Sequence, residues 1–211
     1  MPDLSAFRPS LVILDFDGTL ADSAPWFAQE LNQVARRFEF REVDEAEMER
    51  LRRMDTASIL RFLGVARWKL PFIARHLRRR VAEDAALIPL FPGTPALLRR
   101  MAARAPLAVA SSNSEANIRR ILGESAMHVR HFEGGAALFG KARKLRRLIR
   151  QAGAEPGRTL CVGDELRDIE AARAVGARAV AVTWGYAARE TLAAAQPDFL
   201  VDRMEDLLSE P

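Results

Sequence analysis

Short apolar runs, each closed by a polar cluster and followed by a helical stretch, recur along this chain and leave little choice of architecture. Leu11 to Asp15 is the first, and Leu107 to Ala110 the second. Val129 to Phe132, Thr159 to Val162, Ala179 to Thr183 and Phe199 to Val201 complete the series. Runs this short and this apolar fit strands covered on both faces. Between them, apolar spacing predicts helices over about Ser114 to Leu122, Lys141 to Ala152 and Leu166 to Val175. The Ala-rich tract Leu192 to Ala195 reads as ordinary helix. Strands separated by helices imply βαβ units. The expected fold class is therefore α/β, a Rossmann-like parallel sheet with helices on both faces.

One crossover is different. From about Pro25 to Ala86 there is no strand pattern, only helices broken at Arg41–Val43, Gly64 and Pro89. In one of them Leu70, Ile73, Leu77 and Val81 recur at helical spacing, with Arg75, Arg78, Arg79 and Arg80 between. The expected organisation is a core from 1–22 and 90–211 with a helical domain, 23–89, inserted after the first strand. Linkers are expected near Asp22–Pro25 and Pro89–Pro95.

Charge adds a second asymmetry. Lys and Arg total 32 against 28 Asp and Glu, a net +4. Ten basic residues lie between positions 50 and 80, faced by Asp55 alone, so that block is +9 and the remainder of the chain −5. Most of these side chains read as a solvated face; Arg52 and Arg53 are the candidates for contact with an anionic substrate. No aromatic-rich motif or helix-turn-helix pattern supports nucleic acid as partner. No apolar run approaches the ~18 residues of a membrane span. Met1 to Ser5 lacks the basic-then-apolar layout of a signal peptide. The lone Cys161 allows no internal disulfide and no multi-cysteine zinc site. A cytoplasmic protein is expected, monomer or homodimer, without nucleic-acid or membrane partners.

In open parallel sheets, ligands bind beyond the carboxyl ends of the strands. After the first run stand Asp15, Phe16, Asp17, Gly18 and Thr19; after the second, Ser111, Ser112 and Asn113. Lys141 opens a helix, and Gly163, Asp164 and Glu165 follow the fourth run, with Asp168 four residues beyond Asp164. Each piece alone is ordinary: a turn, a helix cap on Ser111–Asn113, dipole partners at Glu165 and Asp168, a solvated face in the run of basic residues from Lys141 to Arg150. Together they put the four carboxylates of Asp15, Asp17, Asp164 and Asp168, the Ser111 hydroxyl and the Lys141 ammonium at one sheet edge. Carboxylates buried there are costly unless they hold a cation, and oxygen ligands select a hard divalent ion, Mg²⁺. A carboxylate can attack phosphorus, a second one two residues on can shuttle the proton, and a lysine with the metal can neutralise the phosphoryl oxygens.

These motifs resemble the haloacid dehalogenase (HAD) superfamily. Leu14 to Leu20 (LDFDGTL) is similar to its first motif, Ser111 to the second, Lys141 to the third, and Gly163-Asp164-x-x-x-Asp168 to the fourth. The insertion falls where type 1 caps lie. Gly163 to Ala172 and Val182 to Tyr186 are similar to the phosphoglycolate-phosphatase-like branch. The resemblance implies Asp15 as nucleophile and metal ligand, and Asp17 as general acid and base with its carbonyl on the metal. It implies Ser111 and Lys141 as phosphoryl contacts, Asp164 as metal ligand, and Asp168 as support for the metal site or for Lys141. Phe16 and Ser112 would lend backbone amides, and Asn113 belongs to the same substrate-binding loop; Arg53 would reach the substrate from the cap. The implied activity is a Mg²⁺-dependent phosphatase acting on a small anionic phosphorylated metabolite, with 2-phosphoglycolate the leading candidate. The alternatives are a phosphomutase of the same superfamily and a non-catalytic anion-binding protein on this fold.

Three further features carry less. Gly135 to Ala142 falls one residue short of a P-loop, with Ala142 where a hydroxyl is needed and Leu160 to Asp164 as its acidic strand. His128 and His131 lack a third ligand. Cys161 and Trp26 read as packing residues, with substrate contact the alternative for Trp26.

Overall fold

In the computed structural model, which describes residues 4–135 and 140–208, six strands form one parallel sheet. They are β1 (Leu11–Leu14), β2 (Leu107–Ala110), β3 (His131–Glu133), β4 (Thr159–Gly163), β5 (Arg178–Val182) and β6 (Phe199–Val201). Their order is β3-β2-β1-β4-β5-β6. The α/β class and the parallel sheet expected from the sequence are what the chain adopts.

Each apolar run divides between two cores, because successive strand residues point to opposite faces. Val12 and Leu14 join Leu107, Val109, Val162 and Val180 on one face, under α5 (Thr94–Ala102) and α6 (Glu115–Leu122). Leu11 and Ile13 join Ala108, Cys161 and Ala179 on the other, under α7 (Lys141–Ala152), α8 (Leu166–Ala174) and α9 (Arg189–Ala194). Cys161 is a buried free thiol within that second layer. Small residues dominate its sheet side: Ala108, Ala110, Cys161, Ala179 and Ala181.

In the long connection from β1 to β2, four helices precede α5: α1 (Ala24–Phe38), α2 (Glu45–Leu51), α3 (Thr56–Phe62) and α4 (Leu70–Glu83). Leu31, Val43, Leu51 and Leu63 give them a small core of their own. Trp26 and Val81, at the two ends of the segment, pack into the main core instead. The Trp26 indole N–H donates to Asp84 (3.0 Å), so its polar atom ties the ends of the insertion together.

Several local expectations shift. The third strand begins at His131 rather than Val129. The insertion has an additional break after Leu51, because the Asp55 carboxylate accepts from the Ser58 amide (2.9 Å) and starts a new helix. The cap of α6 is Ser114, accepting from Asn117 (3.2 Å), and Ser111–Asn113 stay outside the helix. The P-loop-like reading and the N-terminal reading both fall partly outside the described residues. Among the described residues no helix is long and apolar enough to cross a membrane.

The basic block is also less basic in space than in sequence. Over 23–89, thirteen basic residues meet ten acidic ones. Arg80 pairs with Glu30 (3.0 Å), Glu83 (2.9 Å) and Asp84 (2.8 Å), and Arg79 with Glu83 (2.9 Å). Acids flanking the block thus neutralise much of it, which corrects the contrast between a strongly basic insertion and an acidic core.

Candidate active site

The chain winds from β1 to β3 in one direction, then crosses to β4 on the far side of β1. This reversal opens a crevice beyond the carboxyl ends of β1 and β4. Asp15 leaves β1 and Asp164 leaves β4 there, both buried. Lys141, the first residue of α7, reaches across: its Nζ lies 2.6 Å from Asp15 Oδ2 and also contacts Asp168 Oδ1. Burial alone would lower the Lys141 pKa, but the charges of Asp15 and Asp168 outweigh it and hold the ammonium charged.

The carboxylates are held individually. Asp15 Oδ1 accepts from the Phe16 amide (2.8 Å). Asp164 accepts from the Thr19 hydroxyl (2.8 Å) and the Tyr186 amide (2.8 Å). Asp168 accepts from the Glu165 amide (2.9 Å). Burial, reinforced by Glu165, Asp168 and Asp15, pushes the Asp164 pKa well up. Asp15, Asp164 and Asp168 each offer an oxygen atom, and these atoms lie within 4.8 Å of one another. Three buried carboxylates facing one ammonium leave negative charge that a hard cation would offset, so the donor set fits a divalent ion.

Asp17 points elsewhere. Its Oδ2 accepts from the Ser111 hydroxyl (3.4 Å). Burial, with Asp15 second, raises its pKa to about 6, against lowering by Ser23, Arg167 and Ser111. The structure thus separates two carboxylates two residues apart: Asp15 is paired with a lysine, and Asp17 is bonded to a hydroxyl with its pKa raised.

Ser111 leaves β2 and its Oγ also accepts from the Asn113 amide (3.0 Å). The Asn113 side chain accepts from Ser114 (2.9 Å) and Asn117 (3.0 Å), so it shapes this loop, and Ser112 is half-buried within it. Arg53 stands apart, an exposed side chain 4.0 Å from Glu49. Arg52 instead reaches the core: its carbonyl accepts from the Ala188 amide (2.8 Å), and its guanidinium donates to Gly185 O (3.4 Å).

Sequence reasoning passed over several of these residues. Lys144, assigned to a solvated face, is buried and donates to the carbonyls of Ser111 and Gly135. Burial, with Lys141 second, pulls its pKa down to about 8. Helical spacing carried the signal, since Lys144 stands four residues before Leu148 on the buried face of α7. Thr19 and Tyr186 had no such signal, being tied to Asp164 only by the fold. Arg167 and Glu165, paired at 2.6 Å beside the carboxylates, were likewise missed as a unit.

The chain is similar to known proteins along most of its length. A family model described as haloacid dehalogenase-like hydrolase matches residues 12–182, and the chain belongs to this family. The phosphoglycolate phosphatase of Synechococcus elongatus is 36% identical over 200 residues, covering 93% of this chain and 94% of that protein. That of Mesorhizobium japonicum is 32% identical over 210 residues, covering 86% of each. Within the family the chain sits on the phosphoglycolate-phosphatase-like branch and is a hydrolase of the phosphatase type. Among solved structures, CbbY from Rhodobacter sphaeroides in complex with phosphate shares the fold, with TM-score 0.73 and 23% identity over 94% of this chain and 96% of that one.

Proposed function

We propose that the chain is a Mg²⁺-dependent phosphatase hydrolysing a small phosphomonoester through an aspartyl-phosphate on Asp15. The observation that carries this reading is the buried contact of Lys141 with Asp15 and Asp168 beside Asp164. The names of the two curated relatives support 2-phosphoglycolate as the leading substrate. The lone buried cysteine fits a cytoplasmic location.

An Asp15 carboxylate oxygen attacks phosphorus as the bond to the leaving oxygen breaks, and Asp17 gives that oxygen its proton. Asp17, now ionised, takes a proton from water, whose oxygen attacks the same phosphorus. Phosphate leaves and the Asp15 carboxylate is restored. Lys141, the Ser111 hydroxyl and the backbone amides of Phe16 and Ser112 hold the phosphoryl oxygens, while Asp168 holds Lys141 in place. A Mg²⁺ ion held by Asp15, Asp164, Asp168 and the Asp17 carbonyl would supply positive charge to offset that of the phosphoryl group. Helices α1–α4, residues 23–89, act as a cap that excludes water from the crevice. Their contacts through Arg52 with the Gly185–Ala188 loop support this.

The test is phosphate release from a panel of phosphomonoesters, with and without Mg²⁺, by the parent and by Asp15→Asn. The variant should keep its circular dichroism and unfolding midpoint and lose turnover by about a thousandfold or more. Parent-like phosphate release by Asp15→Asn would overturn the nucleophile.

A further inference from the structure

Arg167 lies in the first turn of α8, three residues after Asp164 and one before Asp168. Its Nη2 donates to Glu165 Oε1 (2.6 Å). Its Nε is buried with no hydrogen-bond partner, one of four such side-chain atoms among the described residues. Two of the four, Asp15 Oδ2 and Asp168 Oδ1, face the Lys141 ammonium and are satisfied by its charge. Arg167 Nε has no such compensation, and a buried donor without an acceptor is expensive.

The surroundings indicate what acceptor it suits. Burial alone would lower the Arg167 pKa, yet Glu165, Asp15, Asp168 and Asp164 together carry it upward. The guanidinium also acts on Asp17, Lys141 and Lys144. By geometry it stands at the edge of the crevice: it is paired with Glu165, whose amide donates to Asp168 (2.9 Å), and Asp168 in turn contacts Lys141. A fixed cation with a free N–H at that point matches a tetrahedral oxyanion, because guanidinium donors pair with phosphoryl oxygens in parallel. Glu165 is the competing acceptor.

We propose that Arg167 is a substrate-binding residue that contacts an oxygen of the phosphoryl group, and that Glu165 competes with the substrate for its guanidinium. This rests on the phosphatase reading above and adds to it a second cation beside Lys141.

The test is the affinity for inorganic phosphate, measured by calorimetry with Mg²⁺ present, in the parent and four variants. Arg167→Gln should weaken phosphate binding by about tenfold or more, the range for a hydrogen bond to a charged group. Glu165→Gln should tighten it several-fold by freeing the guanidinium. The double variant Glu165→Gln/Arg167→Gln separates contact from simple charge balance. If Arg167 touches phosphate, the double variant binds at least about tenfold more weakly than Glu165→Gln. If Arg167 only neutralises Glu165, the two bind alike and the proposal falls. It falls too if Arg167→Gln stays within twofold of the parent. Should the Arg167→Gln variants not fold, Arg167→Lys stands in for Arg167→Gln in both comparisons, and unchanged or weaker binding by Glu165→Gln also ends the proposal. Lys141→Met guards the underlying reading. If it leaves phosphate affinity unchanged, the phosphatase site itself has been misassigned; if it weakens binding while Arg167→Gln does not, only the role of Arg167 is wrong.

Discussion

Gly163 closes β4 directly against the Asp168 carboxylate, and a Cβ built there would sit on that side chain. Gly18, with φ +77, presses in the same way on Asp164. Both glycines are needed because the backbone passes where the carboxylates must lie. Gly163→Ala should therefore displace Asp168 from Lys141 and cut kcat by more than tenfold while the sheet persists, as steady-state kinetics beside far-ultraviolet circular dichroism would reveal. An unchanged kcat would mean that the Asp168–Lys141 contact is dispensable. At this scale the sequence is legible where a residue directly follows an apolar run: Asp15, Ser111 and Asp164 stand at strand ends by position alone. It is illegible where a residue works through its neighbours in space. The amide of Tyr186 and the hydroxyl of Thr19 meet at Asp164 from positions 167 residues apart in the chain, and no local pattern records that.

Elements are delimited by caps more sharply than by periodicity. The helix at 56–62 exists separately from the one before it because Asp55 satisfies the free amide of Ser58, and Ser58 Oγ donates to the same carboxylate (2.6 Å). Those hydrogen bonds hold the Asp55 pKa below its usual 3.8. A carboxyl whose pKa falls on folding stabilises the protein above its unfolded value and stops doing so as pH drops through the folded one. Asp55→Ala should thus cost about 1 kcal/mol at neutral pH, and the difference from the parent should shrink below pH 3.8. Urea unfolding at pH 7 and pH 3 measures both; an equal deficit at the two values would assign the loss to something other than the ionised cap. The strands were readable because burial on both faces leaves near-continuous apolar runs. The third strand was displaced by two residues because only His131–Glu133 pair with β2, which hydrophobicity alone does not report. Breaks in the insertion were readable at glycine and proline and missed at Asp55, where the signal is a side-chain hydrogen bond.

At the scale of the whole molecule, the charge asymmetry of the sequence dissolves into ion pairs, and what remains is a mechanical connection. Arg52, in the insertion, is bonded to a loop whose next contact is with Asp164. The buried side chain of Asn117 makes a second link, donating to Arg78 O (2.9 Å) on α4 and to Asn113 (3.0 Å) in the loop that carries Ser111. The insertion therefore touches both sides of the crevice through the backbone carbonyls of Arg52 and Arg78, and the Arg52 guanidinium adds a contact on one side.

The Ala188 amide is bonded to the Arg52 carbonyl across that junction, whereas the Asp15 amide is bonded inside the sheet to Val162 (2.8 Å). Hydrogen–deuterium exchange can time the two separately. The Ala188 hydrogen should exchange faster than that of Asp15 and slow when inorganic phosphate and Mg²⁺ are added, each exchange event recording one parting of insertion and core. Equal, ligand-independent protection at both positions would mean that the two never part short of global unfolding. A single peptide hydrogen thus serves as the molecule's own shutter counter, readable without labels and without turnover.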